Sequence, residues 1–499
     1  MSGQVSEASP VSYGRRLSDL TEMHPDATAF IYASVTGEER LVTWRELEER
    51  SNRVARALDR RGVGQGDMVV IELPNSVEHV VLAFAVFKVG ACVLPLRSDL
   101  PGWERERVLA VANPAVVVGT RDDVGSWPVV TPSELEDPEL PTDRLPDRVP
   151  NPARAIASSG STGVPKVIRA SGPGVFVPSS IENSVVTTLG QRPGQVQLVP
   201  APMYHTNGSL ITWTALMSGQ SLIVMERFVA DLALELIERH RVNTFTATTI
   251  MLARMARSAD VDKRDLSSIE SMLHGAAPLP DWLARFWIER VGPERFFVAY
   301  GSSENAGTCF ARGDEILQRP GTVGRPANTE LRIRGEDGSD LPPGQVGMIH
   351  LRRPGQTEPV FAYVGDVPSA TGADGFTALG DLGWLDDDGY LYLADRRVDM
   401  IISGGANVYP AEVEGALTEH PGVADVVVIG LPDDEWGERV HAVVQPADVA
   451  RPPSSEELRT HCRERLAAYK VPKTVEMVER IPRTEAGKVR RSDFVRERA

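Results

Sequence analysis

Hydrophobic positions along this chain alternate between two spacings. Thr43-Trp44-Arg45-Glu46 matches the [ST]-x-x-[DE] pattern that opens a helix, and Leu47, Val54, Ala55 and Leu58 then share one helical face. Gly62-Val63-Gly64-Gln65-Gly66-Asp67 ends that helix, and Met68-Val69-Val70-Ile71 predicts a short buried strand. Asn75 to Val89 predicts the next helix and Cys92-Val93-Leu94-Pro95-Leu96 the next strand. Strands alternating with helices imply an α/β architecture with parallel pairing. The most apolar long stretch, Val80 to Leu96, is interrupted by Lys88 and is too short for a membrane span, so it reads as a buried helix running into a strand. Trp127 to Asn151 is rich in Pro, Asp and Glu and predicts a surface excursion. Helix and strand signals resume at Leu232 to His240 and Thr249 to Ala256. Val423 to Leu431 and Val440 to Val444 then read as strands, and Ser455 to Leu466 as a helix capped by Ser454 or Ser455. From about Met400 the chain predicts a separate small α+β unit.

A length of 499 residues exceeds the size at which one core stops growing, so two or more domains are expected. With 53 Lys+Arg against 69 Asp+Glu the net charge is −16, which argues against broad nucleic-acid binding but leaves room for a local basic pocket. Cys92, Cys309 and Cys462 never form a CxxC spacing, so neither a disulfide framework nor a zinc site is expected, and a reducing cytoplasm fits best. Met1 to Ala8 lacks the cationic start and apolar run of a secretory signal.

The most informative segment is Ser158-Ser159-Gly160-Ser161-Thr162-Gly163-Val164-Pro165-Lys166. Its hydroxyls and backbone N–H groups can wrap phosphate oxygens with little bulk in the way, and Lys166 adds a mobile positive charge. The glycine spacing differs from G-x-x-x-x-G-K-[ST], and Ala155-Ile156-Ala157 before it and Lys166-Val167-Ile168 after it predict a strand–loop–strand element. A flexible Ser/Gly turn is the bland alternative for this segment taken alone.

That loop resembles the signature loop of the adenylate-forming superfamily, which includes acyl-CoA synthetases, luciferases and the adenylation domains of peptide synthetases. The resemblance runs from Thr43 to the C-terminus through Met203-Tyr204-His205-Thr206-Asn207-Gly208, His274-Gly275-Ala276-Ala277-Pro278-Leu279 and Tyr300-Gly301-Ser302-Ser303-Glu304. It continues through Gly321-Thr322-Val323-Gly324-Arg325-Pro326, Leu379-Gly380-Asp381-Leu382-Gly383, Asp395-Arg396, Ser403 to Glu414, and Pro482-Arg483-Thr484-Glu485-Ala486-Gly487-Lys488. It implies a large N-terminal adenylation domain of α/β subdomains over 1–394, a hinge at 395–399 and a small mobile α+β domain over 400–499.

The resemblance also implies a reaction. ATP and a carboxylic acid form an acyl-adenylate, pyrophosphate leaves, and the acyl group passes to a second nucleophile. Lys488 would be the mobile lysine bridging the carboxylate and the α-phosphate. Glu304 would help hold Mg²⁺, since that ion leans on few protein ligands and on substrate oxygens. Ser158, Ser159, Gly160, Ser161, Thr162, Gly163, Lys166, Ser302 and Ser303 would bind phosphates, and Tyr300 would stack near the adenine. The backbone of Gly275, Ala276, Ala277 and Pro278 would approach the adenine closely. Asp381 would bind the ribose, and Arg396 the ribose or phosphate. His205 would line the acyl pocket with Asn207, Gly208, Thr248, Gly275 and Gly301, a general-base role being its alternative. The small residues Gly208, Gly275 and Gly301 suggest a roomy, flat pocket suited to aryl or fused-ring acids.

Two positions depart from the family pattern. Val167 stands where a glycine usually follows the loop lysine, and Val398 aligns with the hinge residue, with Arg397 or Asp399 as neighbours that can take its place. A β-branched hinge restricts the backbone, which bears on the second step more than the first. Coenzyme A is the leading acceptor, supported by the segment Ser403 to Pro410, and an amine is the alternative. Joint retention of Lys166, Glu304, Asp381 and Lys488 argues against a non-catalytic nucleotide-binding protein. Monomer and homodimer are both left open.

Overall fold

The computed structural model describes residues 9–121, 127–158, 166–177, 188–356, 358–396, 399–403, 406–433, 436–484 and 487–498, without the side chains of residues 158, 395 and 396. Thr43 caps a helix over Trp44–Arg60, accepting from the Glu46 N–H at 3.1 Å, and Leu47, Val54, Ala55 and Leu58 on its inner face are at most 1% exposed. Gly62 and Gly66, both at positive φ, turn the chain into strand Met68–Glu72. Helix Val77–Lys88 and strand Cys92–Pro95 follow, and these strands join Val116–Gly119 and Val129–Val130 in a four-stranded parallel sheet. The stretch expected as an irregular excursion therefore supplies an edge strand and a capped turn of helix, Pro132–Leu135. With two residues paired, that strand is too short for a period to register.

Lys88 fits inside the apolar run because its ammonium is satisfied there. It donates to Glu48 Oε2 at 2.7 Å, Ser51 Oγ at 2.8 Å and Asn52 Oδ1 at 2.7 Å. Burial still pulls its pKa down to about 8, against the opposing pull of Glu48.

A thirteen-stranded sheet organises the larger part of the chain. Six neighbouring strands at its centre run parallel: Phe296–Gly301, Ser271–His274, Thr244–Ala247, Val196–Val199, Ser221–Met225 and Thr28–Ala33. Thr244–Ala247 and Ser271–His274 are buried throughout, as parallel strands covered on both faces must be. Antiparallel strands extend both flanks. From Ile401 onward, five strands make a separate sheet in which Gly437–Pro446 pairs with Val423–Asp433, Ile401–Ser403 and Thr474–Met477. Ser454 caps helix Ser455–Arg463 with a full capping box to Glu457. The fold is thus α/β, with a small α+β unit at its C-terminal end. No helix among the described residues is long and apolar enough to cross a membrane.

One ion pair is completely enclosed. Arg105 Nε and Nη2 donate to the two carboxylate oxygens of Glu72, each at 2.5 Å, and both side chains are 1% exposed. Removing one charge from such a pair strands the other in low dielectric. Arg105→Leu is therefore expected to lower the free energy of unfolding by about 3–5 kcal/mol. Arg105→Leu combined with Glu72→Leu should recover most of that loss in urea denaturation, and equal damage from the single and double variants would contradict this account.

Candidate active site

Ligands in open α/β sheets gather outside the carboxyl ends of parallel strands. Here four such ends open onto one cleft of about 2650 Å³. Val196–Val199 leads to Tyr204 and His205, Thr244–Ala247 to Thr248, Ser271–His274 to Gly275-Ala276-Ala277-Pro278, and Phe296–Gly301 to Ser302-Ser303-Glu304. The C-terminal unit closes the cleft from the other side, and Lys488 is among the residues that line it.

One side of the cleft is the strand–loop–strand element, where Ala155–Ser158 and Lys166–Ala170 pair antiparallel with Ser158 opposite Lys166. Ser159, Gly160, Ser161, Thr162, Gly163 and the side chain of Ser158 lie outside the described residues. Lys166 Nζ sits 4.9 Å from the centre of the Tyr363 ring, a cation–π contact, and Tyr363 OH donates to Glu304 Oε1 at 3.1 Å. Burial, reinforced by the Glu304 charge, pushes the Tyr363 phenol up, so it stays protonated and able to donate. Thr206 and Ser303 share a hydroxyl hydrogen bond of 2.8 Å, and Ser302 Oγ is buried with no partner among the described residues. Tyr300 OH donates to Asp381 Oδ2 at 2.9 Å, tying the aromatic residue to the candidate ribose ligand. Asp381 faces Arg396 across paired strands, while the Arg396 side chain lies outside the described residues.

The Gly275–Pro278 loop is fixed from below. The Thr249 hydroxyl donates its one hydrogen to the Pro278 carbonyl at 2.6 Å, so it must accept from His274 Nε2 at 2.9 Å. Ala276 holds φ at 74°, an unusual conformation for a residue with a side chain. Gly275 and Gly301 line the cleft, and a Cβ on either would meet nothing closer than 3.6 Å or 3.5 Å. Gly208 differs. A Cβ there would lie 2.0 Å from the Pro202 carbonyl oxygen, and Gly208 is absent from the cleft lining, so its smallness serves backbone packing and not pocket room.

His205, before helix Thr206–Met217, lines the cleft with Asn207 and Thr248. Its Nε2 and the Thr248 hydroxyl are buried without partners among the described residues. Burial, followed by the charges of Lys488 and Arg97, pulls the His205 pKa down to about 3. Lys488 and His205 line the same cleft, although one comes from the C-terminal unit and the other from the loop after a central strand. A tight turn presents the lysine: Thr484 N–H donates to the Lys488 carbonyl at 2.9 Å, and Gly487 stands at φ 77°. Gly487 presses on the large part of the molecule, since a Cβ there would come within 2.9 Å of Ile250 Cγ2. Arg483 braces the turn, bonding Asp425 at 2.6 and 2.8 Å and the Gly487 carbonyl at 3.0 Å.

Glu304 offers one carboxylate for a divalent cation, and the described residues contain no group of three His, Cys, Asp or Glu that would cage a metal. A single carboxylate facing a cleft suits Mg²⁺ that takes its other ligands from water and phosphate. Tyr363, Thr206 and Arg97 join the site without having been singled out by the sequence. Tyr363 reaches Lys166 because strand Phe361–Tyr363 pairs with Lys166–Ala170, a pairing far apart in the chain that no local pattern announces. Val398 and Arg397 lie outside the described residues, while Asp399 is bonded by Arg491 at 3.1 Å.

The profile of AMP-binding enzymes matches residues 18–359, and that of the AMP-binding enzyme C-terminal domain matches 412–488. The chain is 33% identical over 488 residues to a feruloyl-CoA synthase of Amycolatopsis sp, covering 95% of this chain and 96% of that protein. It superposes with a TM-score of 0.83 and 28% identity on o-succinylbenzoate CoA synthetase from Bacillus subtilis bound to its acyl-adenylate intermediate, covering 98% of each chain. That enzyme is also solved with ATP and a magnesium ion. The amide bond synthetase McbA from Marinactinospora thermotolerans superposes with a TM-score of 0.78 at 28% identity, covering 98% of this chain and 99% of that one.

Three buried imidazoles set a pH dependence. Burial lowers His79 to about 4 and both His205 and His274 to about 3. In the unfolded chain these groups titrate near about 6.5. Below that pH the unfolded state binds protons that the fold refuses, so stability is full above about 6.5 and falls toward pH 4. The urea midpoint should be lower at pH 5 than at pH 7.5, and His205→Asn should flatten the difference. A midpoint that holds or rises on acidification would contradict this assignment.

Proposed function

This chain belongs to the AMP-binding enzyme family, and on that premise we propose that it activates a carboxylic acid with ATP and passes the acyl group to the thiol of coenzyme A. The observation that carries the reading is Lys488, set in the cleft beside His205 and the loops at the strand ends. A carboxylate oxygen attacks the α-phosphorus of ATP, the bond from that phosphorus to the β-phosphate bridging oxygen breaks, and pyrophosphate leaves with the electron pair. Acid and triphosphate are both anions, so the step needs positive charge where they meet. Lys488 supplies it, bridging the carboxylate and the α-phosphate. Lys166 and the Ser/Thr/Gly loop hold the outer phosphates, Asp381 holds the ribose with Tyr300 beside it, and the Gly275–Pro278 backbone lies along the adenine. Glu304 would hold Mg²⁺, which would supply positive charge to the phosphates.

His205 is assigned to the pocket wall. Carboxylic acids are already ionised near neutrality, so the first step calls for no base, and an imidazole whose pKa lies near 3 accepts a proton poorly. The open faces of Gly275 and Gly301, with the likeness to a feruloyl-CoA synthase, favour a flat aryl acid. Adenylation domain, hinge and mobile C-terminal domain are taken as 1–394, 395–399 and 400–499. The second reading, transfer of the acyl group to an amine, is favoured by the likeness to an amide bond synthetase.

Pyrophosphate release is expected from the protein with ATP, Mg²⁺ and an aryl acid. Lys488→Ala should lower that rate on the order of 10²–10³-fold, as loss of a donor that meets developing charge does. A change below about threefold would remove Lys488 from the role given by this reasoning. Offering CoA and an amine together to the adenylate, and weighing the product, decides the acceptor: thioester is expected, and amide without thioester selects the second reading.

A further inference from the structure

Lys488 is gripped from both sides by contacts that end on helices of the large part of the molecule. On one side Arg490 Nη2 donates to Glu104 Oε1 at 2.5 Å. Glu104 lies in the first turn of helix Gly102–Ala112 with its side chain 8% exposed, whereas Arg490 is 41% exposed. The next residue, Arg105, is locked to Glu72 in the core, so the helix offers a rigid anchor. On the other side Arg257, at the end of helix Thr249–Ala256, donates to the carbonyls of Ala424 at 2.8 Å and Val423 at 3.1 Å. The following residue, Asp425, is bonded by Arg483, and Arg483 bonds the carbonyl of Gly487, directly before the lysine. Two short chains of polar contacts thus run from fixed helices to residues flanking one ammonium group.

We propose that Glu104 and Arg257 are positioning residues that latch the C-terminal unit in the adenylate-forming orientation, with the Glu104–Arg490 ion pair as the releasable half. The inference rests on the two-step reaction and the mobile C-terminal domain proposed above, with the unit taking a different orientation for the second step. Contacts made in one orientation and absent from the other bias the equilibrium between them by their own free energy. Arg490 keeps part of its guanidinium in water, so solvent competes for it and the grip can open. Arg257 bonds main-chain carbonyls and sets the angle of approach.

The two half-reactions separate this role from a structural one. Glu104→Gln keeps the shape and removes the charge. It is expected to slow first-turnover pyrophosphate release about five- to tenfold, the low end of the range for coupled sites. Transfer from chemically synthesised acyl-adenylate to the acceptor should hold or rise. The charge swap Glu104→Arg with Arg490→Glu should restore adenylation, and Arg257→Met should slow it while sparing transfer. Equal loss in both half-reactions, or loss in neither, overturns the latch.

A measurement without turnover keeps the test independent of the reaction. Cys92, Cys309 and Cys462 are buried, so spin labels can be confined to R285C and E464C on exposed faces of the two parts. The parent should give one distance distribution and Glu104→Gln a second, longer one. Unchanged distances overturn the latch. Failure of the parent to release pyrophosphate with any acid overturns the reaction instead.

Discussion

Two anions must come within bonding distance for an acid to be adenylated, and water ordinarily keeps them apart by solvating each. On the reading proposed above, the answer is a cation from the C-terminal unit, Lys488, which lines the cleft opposite the strand-end loops. Lys488 reaches the cleft through a turn that is itself braced by Arg483 and pressed against Ile250. Its field is felt at His205, where burial and two positive charges together hold the imidazole neutral.

The loops at the strand ends owe their positions to the parallel sheet, and Lys166 owes its place to a separate three-stranded antiparallel sheet. Adjacent strands end at one level, so loops that are far apart in the chain present their first residues side by side. That arrangement accounts for the Thr206–Ser303 contact and for the hydroxyl of Thr249 holding both His274 and Pro278. The antiparallel flank adds Asp381 and couples it to Tyr300.

Periodicity made the early helices and strands readable, because Leu47, Val54, Ala55 and Leu58 report a buried face without reference to anything distant. The cap at Thr43 is equally local, whereas the choice between Ser454 and Ser455 is settled only in the fold, where Ser454 makes the capping box with Glu457. Motif order located the loops that form the cleft. Side-chain partners were not readable in this way: Tyr363 against Lys166, or Arg105 against Glu72, depends on strand pairing and helix docking that a single sequence does not encode locally. Gly208 differs from Gly275 and Gly301 for a related reason. A glycine that makes room for a ligand and one that makes room for a neighbouring carbonyl look identical until the backbone is folded around them.

That difference among glycines gives a direction to anyone redesigning the substrate range. At positions 275 and 301 an added Cβ would make only ordinary contacts, so a methyl group is the first change to try there. Position 208 is closed by the Pro202 carbonyl, so any side chain added there meets main chain before it reaches the cavity.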